Sequence, residues 1–370
     1  MADASTQIII EMHDGRRWVI HGPGAHPNLR LMRGGLGEFY RTPKATTYKE
    51  RAGVGGAYFM GSRDLPMRFS LRIDTWGPDF ADHMGAFLRG LSTEPGREST
   101  IIYRTDRWGE RHLQILLEEA ASYRREVDPE SLESASYEIP VIAPVPYWAT
   151  PTPAHDEWVF QGTGFVGEVE VSNPGDVPLW PRWTLTSPAA WILPDVDFEG
   201  EGEPRMVPLR FAPHGRDLLV QTRPGEELIV ATDGTLDAWM GDGPVHFLHP
   251  IPPHTPPTRI PVAVDPIPGL PWHLPMEWKQ WIAMRLHQFL KDIGVDAFMQ
   301  KTPDEIGDEI AGWIRGATPE WVPTIGDGLI AELTGTVFAD AIREHYGTWG
   351  NVRGVTAQVE LEYRWEAPWG

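Results

Sequence analysis

The sequence predicts a mainly β fold with an α insertion: an N-terminal β-rich domain with one helix, then a β-sandwich that carries three helices. Short apolar runs separated by turn residues predict strands along most of the chain. In one window near 77–91 and in a block over 276–347, the apolar residues instead recur with the 3.6-residue period of helices. A proline-rich stretch over 140–153 predicts an extended linker, which separates the two β-rich parts.

The composition indicates a chain with enough apolar residues to form hydrophobic cores and with many turns. Its 370 residues are 41% hydrophobic and include 38 glycines and 36 prolines, and a chain of this length favours two or three domains. The absence of cysteine excludes disulfides, thiolate nucleophiles and cysteine-based zinc sites. The first residues lack a basic segment and a long apolar run, so we expect no signal peptide, and we expect no membrane span either.

The net charge of −20 predicts a surface that repels nucleic acid and anionic lipid. A passive sheath around DNA would use that repulsion, because DNA would slide without sticking, although plain solubility also accounts for the charge. Lysine occurs 5 times against 27 arginines, and asparagine occurs 3 times. Since lysine and asparagine have A/T-rich codons, this skew indicates a G+C-rich genome.

Residues 1–148 predict strands and one helix. Asp14-Gly15 lies between two apolar runs, which is a hairpin signal. Residues 67–74 alternate apolar and polar side chains, and a later pair of strands is predicted on either side of a turn at 106–109. Pro78 stands at the first position of the predicted helix. The apolar stripe of that helix, which should cover one face of the strands, consists of Phe80, Met84, Phe87, Leu88 and Leu91.

Residues 149–275 predict a β-sandwich, because short apolar runs recur there with turn residues between them. The runs are GFVGEVEV, RWTLTS, MVPLRFA, DLLVQT, EELIVAT and VHFL, and Asp233-Gly234 marks a further hairpin. Residues 355–365 alternate apolar and polar side chains, and one strand is not stable alone. We therefore expect the second part of the sandwich, 348–370, to return to the first.

Between these two parts, residues 276–347 predict a three-helix insertion. Apolar residues at helical spacing begin at Trp278, and Thr302 to Glu305 form a capping box for the second helix. A third helix is predicted from Asp327 to Gly347. Such apolar stripes can face a membrane or a protein core, and we expect a core.

The sequence carries no P-loop, GxGxxG after a strand, HExxH, GxSxG or EF-hand motif. An acidic run offers the oxygen ligands that Ca²⁺ takes, but it also suits a solvated loop. This run consists of Asp195, Asp197, Glu199, Glu201 and Glu203. His246, His249 and His254 lie close in sequence, but the prolines among them disfavour a shared zinc geometry. Glu118 and Glu119 would face opposite sides of a strand, which makes a poor acid–base pair.

We therefore expect no catalytic, cofactor-binding or metal-binding residues, and the pattern identifies no ligand-binding residue. Three roles suit the 17 tryptophans: sugar binding, contact between subunits, and the ordinary core of the sandwich.

The segment EVSNPGDVPLWPRWTLTSPAAW, residues 170–191, contains three tryptophans and no catalytic group. A strand reaches a turn, and prolines flank the next strand; the residues concerned are Asn173, Gly175, Asp176, Pro178 and Pro181. With PVPYW before it and the ending YRWEAPWG, this pattern resembles the distal tail proteins of siphovirus-type phages, often labelled minor tail proteins. The ending is similar to that of such proteins in phages of actinobacterial hosts, which fits the arginine excess. The likeness covers 7–272 and 352–370, and the helical block departs from it.

The resemblance implies a structural virion protein at the distal end of the tail, assembled in the host cytoplasm. A hub domain, 1–148, would form a six-fold ring that joins the tail tube to the tail tip or baseplate. A galectin-like sandwich, 149–275 and 348–370, would lie outside it. The implied partners are further copies of the chain, the tail tube protein and tail tip or baseplate hub proteins, with DNA passing through the lumen without specific binding. No enzyme activity and no cofactor are implied.

Two other functions are weighed against this one. The sandwich would instead be a carbohydrate-binding module for a host-surface glycan, because galectin-like folds bind sugars and exposed tryptophans suit them. A β-sandwich glycosidase or lyase is the third hypothesis, and the lack of a convincing carboxylate pair argues against it.

Overall fold

The computed structural model describes residues 6–32, 35, 39–51, 53, 55–123, 128–161, 166–200, 204–212, 215–225, 228–232, 246–265, 305 and 354–369. The fold is mainly β, as predicted. The chain divides into two compact units. The first unit contains Met1–Pro153, Pro174–Pro178 and Glu362–Gly370, and the second contains Ala154–Asn173 and Leu179–Leu361.

The elements follow one another along the chain as a long series of strands with two helices among the described residues. They are β1 (Gln7–Glu11), β2 (Arg17–His21), β3 (Leu29–Leu31), β4 (Lys44–Glu50), β5 (Ala57–Asp64), β6 (Met67–Trp76), α1 (Phe80–Arg89), β7 (Ser99–Thr105), β8 (Gly109–Leu117), β9 (Ser122–Tyr123), α2 (Pro129–Leu132), β10 (Ser134–Ala143), β11 (Trp148–Ala149), β12 (Ala154–Phe160), β13 (Val166–Asn173), β14 (Arg182–Leu185), β15 (Ala189–Asp195), β16 (Arg205–Ala212), β17 (Leu218–Gln221), β18 (Leu228–Ala231), β19 (Thr255–Val264), β20 (Val355–Leu361) and β21 (Arg364–Trp365). No helix among them is long and apolar enough to cross a membrane.

The first unit is built on one large antiparallel sheet. Its main path runs β2-β1-β7-β8-β10-β6-β3, with β9 beside β10 and β11 beside both β8 and β21. The hairpin predicted at Asp14-Gly15 joins β1 to β2, and Gly15 has φ +83°, a conformation that favours glycine. The strands predicted around 106–109 are β7 and β8, which pair along all of β7 and along Gly109–Ile115 of β8.

The core of the first unit is formed by residues of this sheet and of α1, together with Phe39. Strand β6 alternates as predicted, and its buried residues include Met67, Leu71 and Ile73. In α1 the predicted stripe is inward, since Phe80, Met84 and Phe87 are buried.

The start of α1 differs from the prediction by two residues. The helix begins at Phe80 with Asp79 as its N-cap residue, so that Pro78 precedes the cap instead of opening the helix. Local sequence signals place helix ends less securely than apolar periodicity places the helix itself.

The second unit contains two antiparallel sheets of five and four strands. Their orders are β12-β20-β14-β17-β18 and β13-β19-β15-β16. The sheets touch where Trp158 of β12 lies against Gly167 of β13 and against the ring of Trp191 in β15, with ring centroids 6.2 Å apart. Strand β20 lies between β12 and β14, so residues 355–361 pair within the five-stranded sheet.

One predicted strand of the second unit is wrong. The predicted strand VHFL begins at 245, and its described residues, 246–248, form no strand. Residues 249 and 250 after it form no strand either. The backbone of this segment is held instead by a side chain, because the buried carboxylate of Asp195 accepts hydrogen bonds from the N–H groups of Leu248 and His249. A side-chain acceptor of this kind replaces the ladder that a strand would supply.

The division into units differs from the predicted boundaries at three places. Residues 149–153, 174–178 and 362–370 cluster with the first unit, whereas we grouped them with the sandwich. The short strand β21 pairs with β11 at Trp148 and Ala149, and the backbone N–H of Glu366 donates to Asp176. The predicted helical insertion, 276–347, lies outside the described residues except for Glu305, and the Asp233-Gly234 hairpin lies outside them entirely. Both stay predictions.

A half-buried histidine in the first unit should titrate below its ordinary pKa. Burial lowers the pKa of His26, and repulsion from His83, whose ring centroid lies 4.8 Å away, lowers it further. Because the folded pKa is depressed, the stability that the neutral ring contributes is present above about pH 6.5 and is lost as the pH falls through the folded pKa. In an NMR titration, His83→Gln should raise the pKa of His26. A His26 pKa at its ordinary value in the unchanged protein would contradict the prediction.

Candidate assembly surface

The exposed hairpin, residues 44–64, consists of β4, β5 and the turn between them. These two strands pair with each other and with no other described strand. Almost every residue in them is exposed. An isolated two-stranded hairpin is at best marginally stable in water, so this element is one that a partner would stabilise.

The exposed hairpin carries large apolar side chains on both faces. Tyr48 and Phe59 are cross-strand neighbours with ring centroids 6.0 Å apart, and successive strand residues face opposite sides, so Tyr58 and Met60 lie on the other face. The exposed fractions are 60% for Tyr48, 52% for Tyr58, 63% for Phe59 and 59% for Met60. Large exposed apolar side chains grouped on one element are typical of interaction sites in soluble proteins.

The charge of the exposed hairpin is opposite to that of the chain. Residues 44–64 contain four cationic and two anionic side chains, a net charge of +2 in a chain of −20. Lys44 and Lys49 are two of the 5 lysines in the sequence. The guanidinium of Arg51 lies 5.1 Å from the centroid of the Tyr58 ring, which keeps a cation beside the aromatic surface. The surface is therefore both apolar and cationic.

The predicted acidic run does not form a cluster in the structure. Asp195 is buried and pairs with Arg205, whose Nη1 lies 2.5 Å from its Oδ2. Asp197 accepts hydrogen bonds from the backbone N–H groups of Glu199 and Gly200. The carboxylates of Asp195 and Asp197 thus bind different partners. Glu201 and Glu203 lie outside the described residues.

The predicted histidine and glutamate groups are likewise dispersed. Within the described part of the chain no three His, Asp or Glu side chains are grouped so as to hold a metal ion, and this part includes His246, His249 and His254. Glu118 and Glu119 follow β8 instead of lying within it, which corrects the expectation that they face opposite sides of a strand. Glu118 pairs with Arg68 at 2.5 Å.

Two of the three tryptophans in residues 170–191 belong to the core. Trp183 and Trp191 are fully buried, and Nε1 of Trp191 donates to the carbonyl oxygen of Thr186 at 3.0 Å. Trp180 is half-buried. At the start of the turn, Asn173 is buried and its Nδ2 donates to the carbonyl oxygen of Ile251 at 3.0 Å.

The exposed hairpin is the feature that sequence reasoning missed. Its signal is present in AYFM, four apolar residues directly after a glycine pair and directly before Gly61. A run of this kind predicts a strand but not its exposure, because exposure depends on which other strands pair with it.

Comparisons with known proteins give structural similarities only. No protein-family model matches the chain, and no curated protein matches it. The chain is similar to the Dit (gp 19.1) protein of phage SPP1, described as a paradigm of the hub adsorption apparatus in phages that infect Gram-positive bacteria, with a TM-score of 0.44. It is also similar to chains of the phage p2 baseplate in its activated conformation with Ca and with Sr, with TM-scores of 0.41 and 0.40. Each likeness has 10% identity and covers 70% of this chain and 97% of the other. Identity and TM-scores at this level establish neither a family nor a function.

Proposed function

We propose that this chain is a structural, non-enzymatic virion protein: a ring-forming distal tail protein that joins the tail tube of a siphovirus-type phage to its tail tip or baseplate. The observation that carries the proposal is the exposed hairpin, an apolar and cationic element on an acidic chain. A chain built in this way suits assembly with further copies of itself.

The occupant that we assign to the exposed hairpin is a second copy of this chain. The net charge of +2 on residues 44–64 is complementary to a copy whose net charge is −20. The hairpin of one copy would dock on a different surface of the next, which is a head-to-tail contact. Such contacts close into a ring when the rotation between copies is suitable. The six-fold number comes from the sequence resemblance.

The sequence resemblance supports the same function through residues 170–191 and the ending YRWEAPWG. In this proposal, residues 1–148 form the hub, and residues 149–275 with 348–370 form a galectin-like sandwich outside it. The helical block, 276–347, would contact another tail-tip protein or the host surface. The ring would be part of the virion of an actinobacterial phage, assembled in the host cytoplasm, with DNA passing through an acidic lumen that does not bind it.

The carbohydrate-binding alternative gains no support from the residues of the second unit that the structure describes. In sugar-binding sites an exposed aromatic ring supplies the contact surface. Among the described residues of this unit the exposed large hydrophobic side chains are Val166, Leu219 and Leu248, and none of them is aromatic.

The double variant Tyr48→Ser, Phe59→Ser tests the assembly surface. We expect the unchanged protein to sediment at about six times its chain mass of 41.6 kDa. The variant should associate at least about tenfold more weakly, because aromatic anchors dominate the energy of most interfaces. Raising the salt concentration from 0.1 to 1 M should also weaken association, because it screens the complementary charges.

The matched control is Leu132→Ser, which removes another exposed apolar side chain of the first unit. It should associate like the unchanged protein. An unchanged protein that stays monomeric and does not bind tail tube protein would contradict the proposal, and so would rings that form equally well without Tyr48 and Phe59.

A further inference from the structure

The C-terminal strap, residues 362–369, is anchored in the first unit. Trp365 is 5% exposed, and β21 pairs with β11 through Trp148 and Ala149. The guanidinium carbon of Arg111 lies 3.6 Å from the centroid of the Trp365 ring. This half-buried cation over a buried indole fixes the strap beside β8.

The strap holds the root of the exposed hairpin through one residue, Glu366. The backbone N–H of Thr42, two residues before β4, donates to the carbonyl oxygen of Glu366 at 3.0 Å. The carboxylate of Glu366 pairs with Nζ of Lys44, the first residue of β4, and its Oε2 lies 3.8 Å from Nε of Arg41. The hydrogen bond to Glu366 raises the pKa of Lys44. Main chain and side chain of Glu366 therefore both contact the hairpin root.

The opposite side of Glu366 is held by the turn that follows Asn173. The backbone N–H of Glu366 donates to Oδ1 of Asp176 at 2.7 Å. Gly175 lies so close to the strap that an added Cβ would stand 2.2 Å from the carbonyl oxygen of Arg364. The turn thus contacts the strap, and the strap contacts the hairpin root.

We propose that Glu366 and Asp176 are positioning residues, which set the direction and rigidity of the exposed hairpin. A small rotation at the root of the hairpin produces a larger displacement at its tip. Strand β5 has 8 residues, so it extends about 26 Å at roughly 3.3 Å per residue, and a 10° change at its root would move its tip by about 5 Å. Because the hairpin has no other described strand beside it, its root is the place where its direction is fixed. The consequence for ring assembly rests on the proposed function, whereas the positioning itself does not.

Hydrogen–deuterium exchange on the full-length monomer, diluted below its association range, tests the positioning. Glu366→Gln keeps the shape of the side chain but loses its charge, so exchange at Thr42 and along β4 should become about threefold faster. Asp176→Ala leaves the Glu366 N–H without this acceptor, and exchange at the same amides should rise about tenfold. The matched control is Glu118→Gln, which breaks the ion pair with Arg68 elsewhere in the first unit and should leave the hairpin amides unchanged.

The same three variants are then compared in self-association by sedimentation. Faster hairpin exchange with weaker association supports the proposal. Faster exchange in a protein that never associates supports the positioning and contradicts the proposed function. Hairpin exchange unchanged in Glu366→Gln overturns the proposal, even if Asp176→Ala fails to fold. Weaker association without faster exchange also overturns it, because Glu366 would then contact the neighbouring copy directly.

Discussion

Trp148→Ala should lower the free energy of unfolding of the first unit by about 3 to 5 kcal/mol, the usual cost of removing a fully buried large aromatic side chain. Trp148 is 0% exposed. Its ring centroid lies 5.1 Å from that of Phe39 and 6.0 Å from that of Tyr103, and its backbone pairs with that of Trp365. Truncation would therefore leave a cavity among several rings and loosen the strand that holds the strap.

The measurement is urea unfolding followed by hydrogen exchange in peptides of the first unit, since a chain of two units need not unfold in one step. Trp148→Phe is the conservative comparison and should cost less, because most of the ring volume is kept. Trp108→Ala is the second control, since Trp108 is half-buried in the turn between β7 and β8, and its cost should be well below that of Trp148→Ala. A cost below about 1 kcal/mol for Trp148→Ala would mean that the ring is not part of the core.

Gly175→Ala should destabilise the first unit by about 3 kcal/mol, the upper part of the range for overpacking a close contact. The new Cβ would stand 2.2 Å from the carbonyl oxygen of Arg364, and that oxygen is backbone, which cannot rotate away. The turn and the strap would have to separate. Loss of the hydrogen bond from the Glu366 N–H to Asp176 should follow, so the hairpin amides should also exchange faster.

Gly55→Ala is the matched control for this substitution. An added Cβ at Gly55 meets nothing within 4 Å, and its φ is not in the left-handed region. It should change stability by less than about 0.5 kcal/mol, as is usual for exposed positions. The prediction fails if Gly175→Ala and Gly55→Ala unfold at the same urea concentration.

Periodicity predicted those elements in which one face is buried and the other is not. Strand β6 and helix α1 have such faces, and so does β20, whose burial alternates along all of its residues. Strand β15 was not predicted, because all seven of its residues are buried and its sequence therefore shows no alternation of apolar and polar side chains. Strand β19 contains three prolines, which normally argue against a strand, yet it pairs with both β13 and β15.

The candidate site was harder to predict than the fold because it depends on pairing between distant segments. The alternation over 355–365 is continuous in the sequence, and nothing in it indicates that 355–361 pair in one unit and Arg364–Trp365 in the other. The contacts of Glu366 with Lys44 and Asp176 join residues that are 322 and 190 positions apart. Local sequence patterns contain no information about such distances.

The place of β20 between β12 and β14 has a consequence for biosynthesis. Val355 follows Val264, the last residue of β19, by 91 positions. A ribosome that adds about 5 to 20 residues per second needs roughly 5 to 18 s to make that stretch. During this time β12 has no described strand to pair with, and one edge of β14 is open. Between synthesis of β19 and release of β20 from the ribosome, the nascent chain therefore exposes strand edges that can pair with other chains and aggregate.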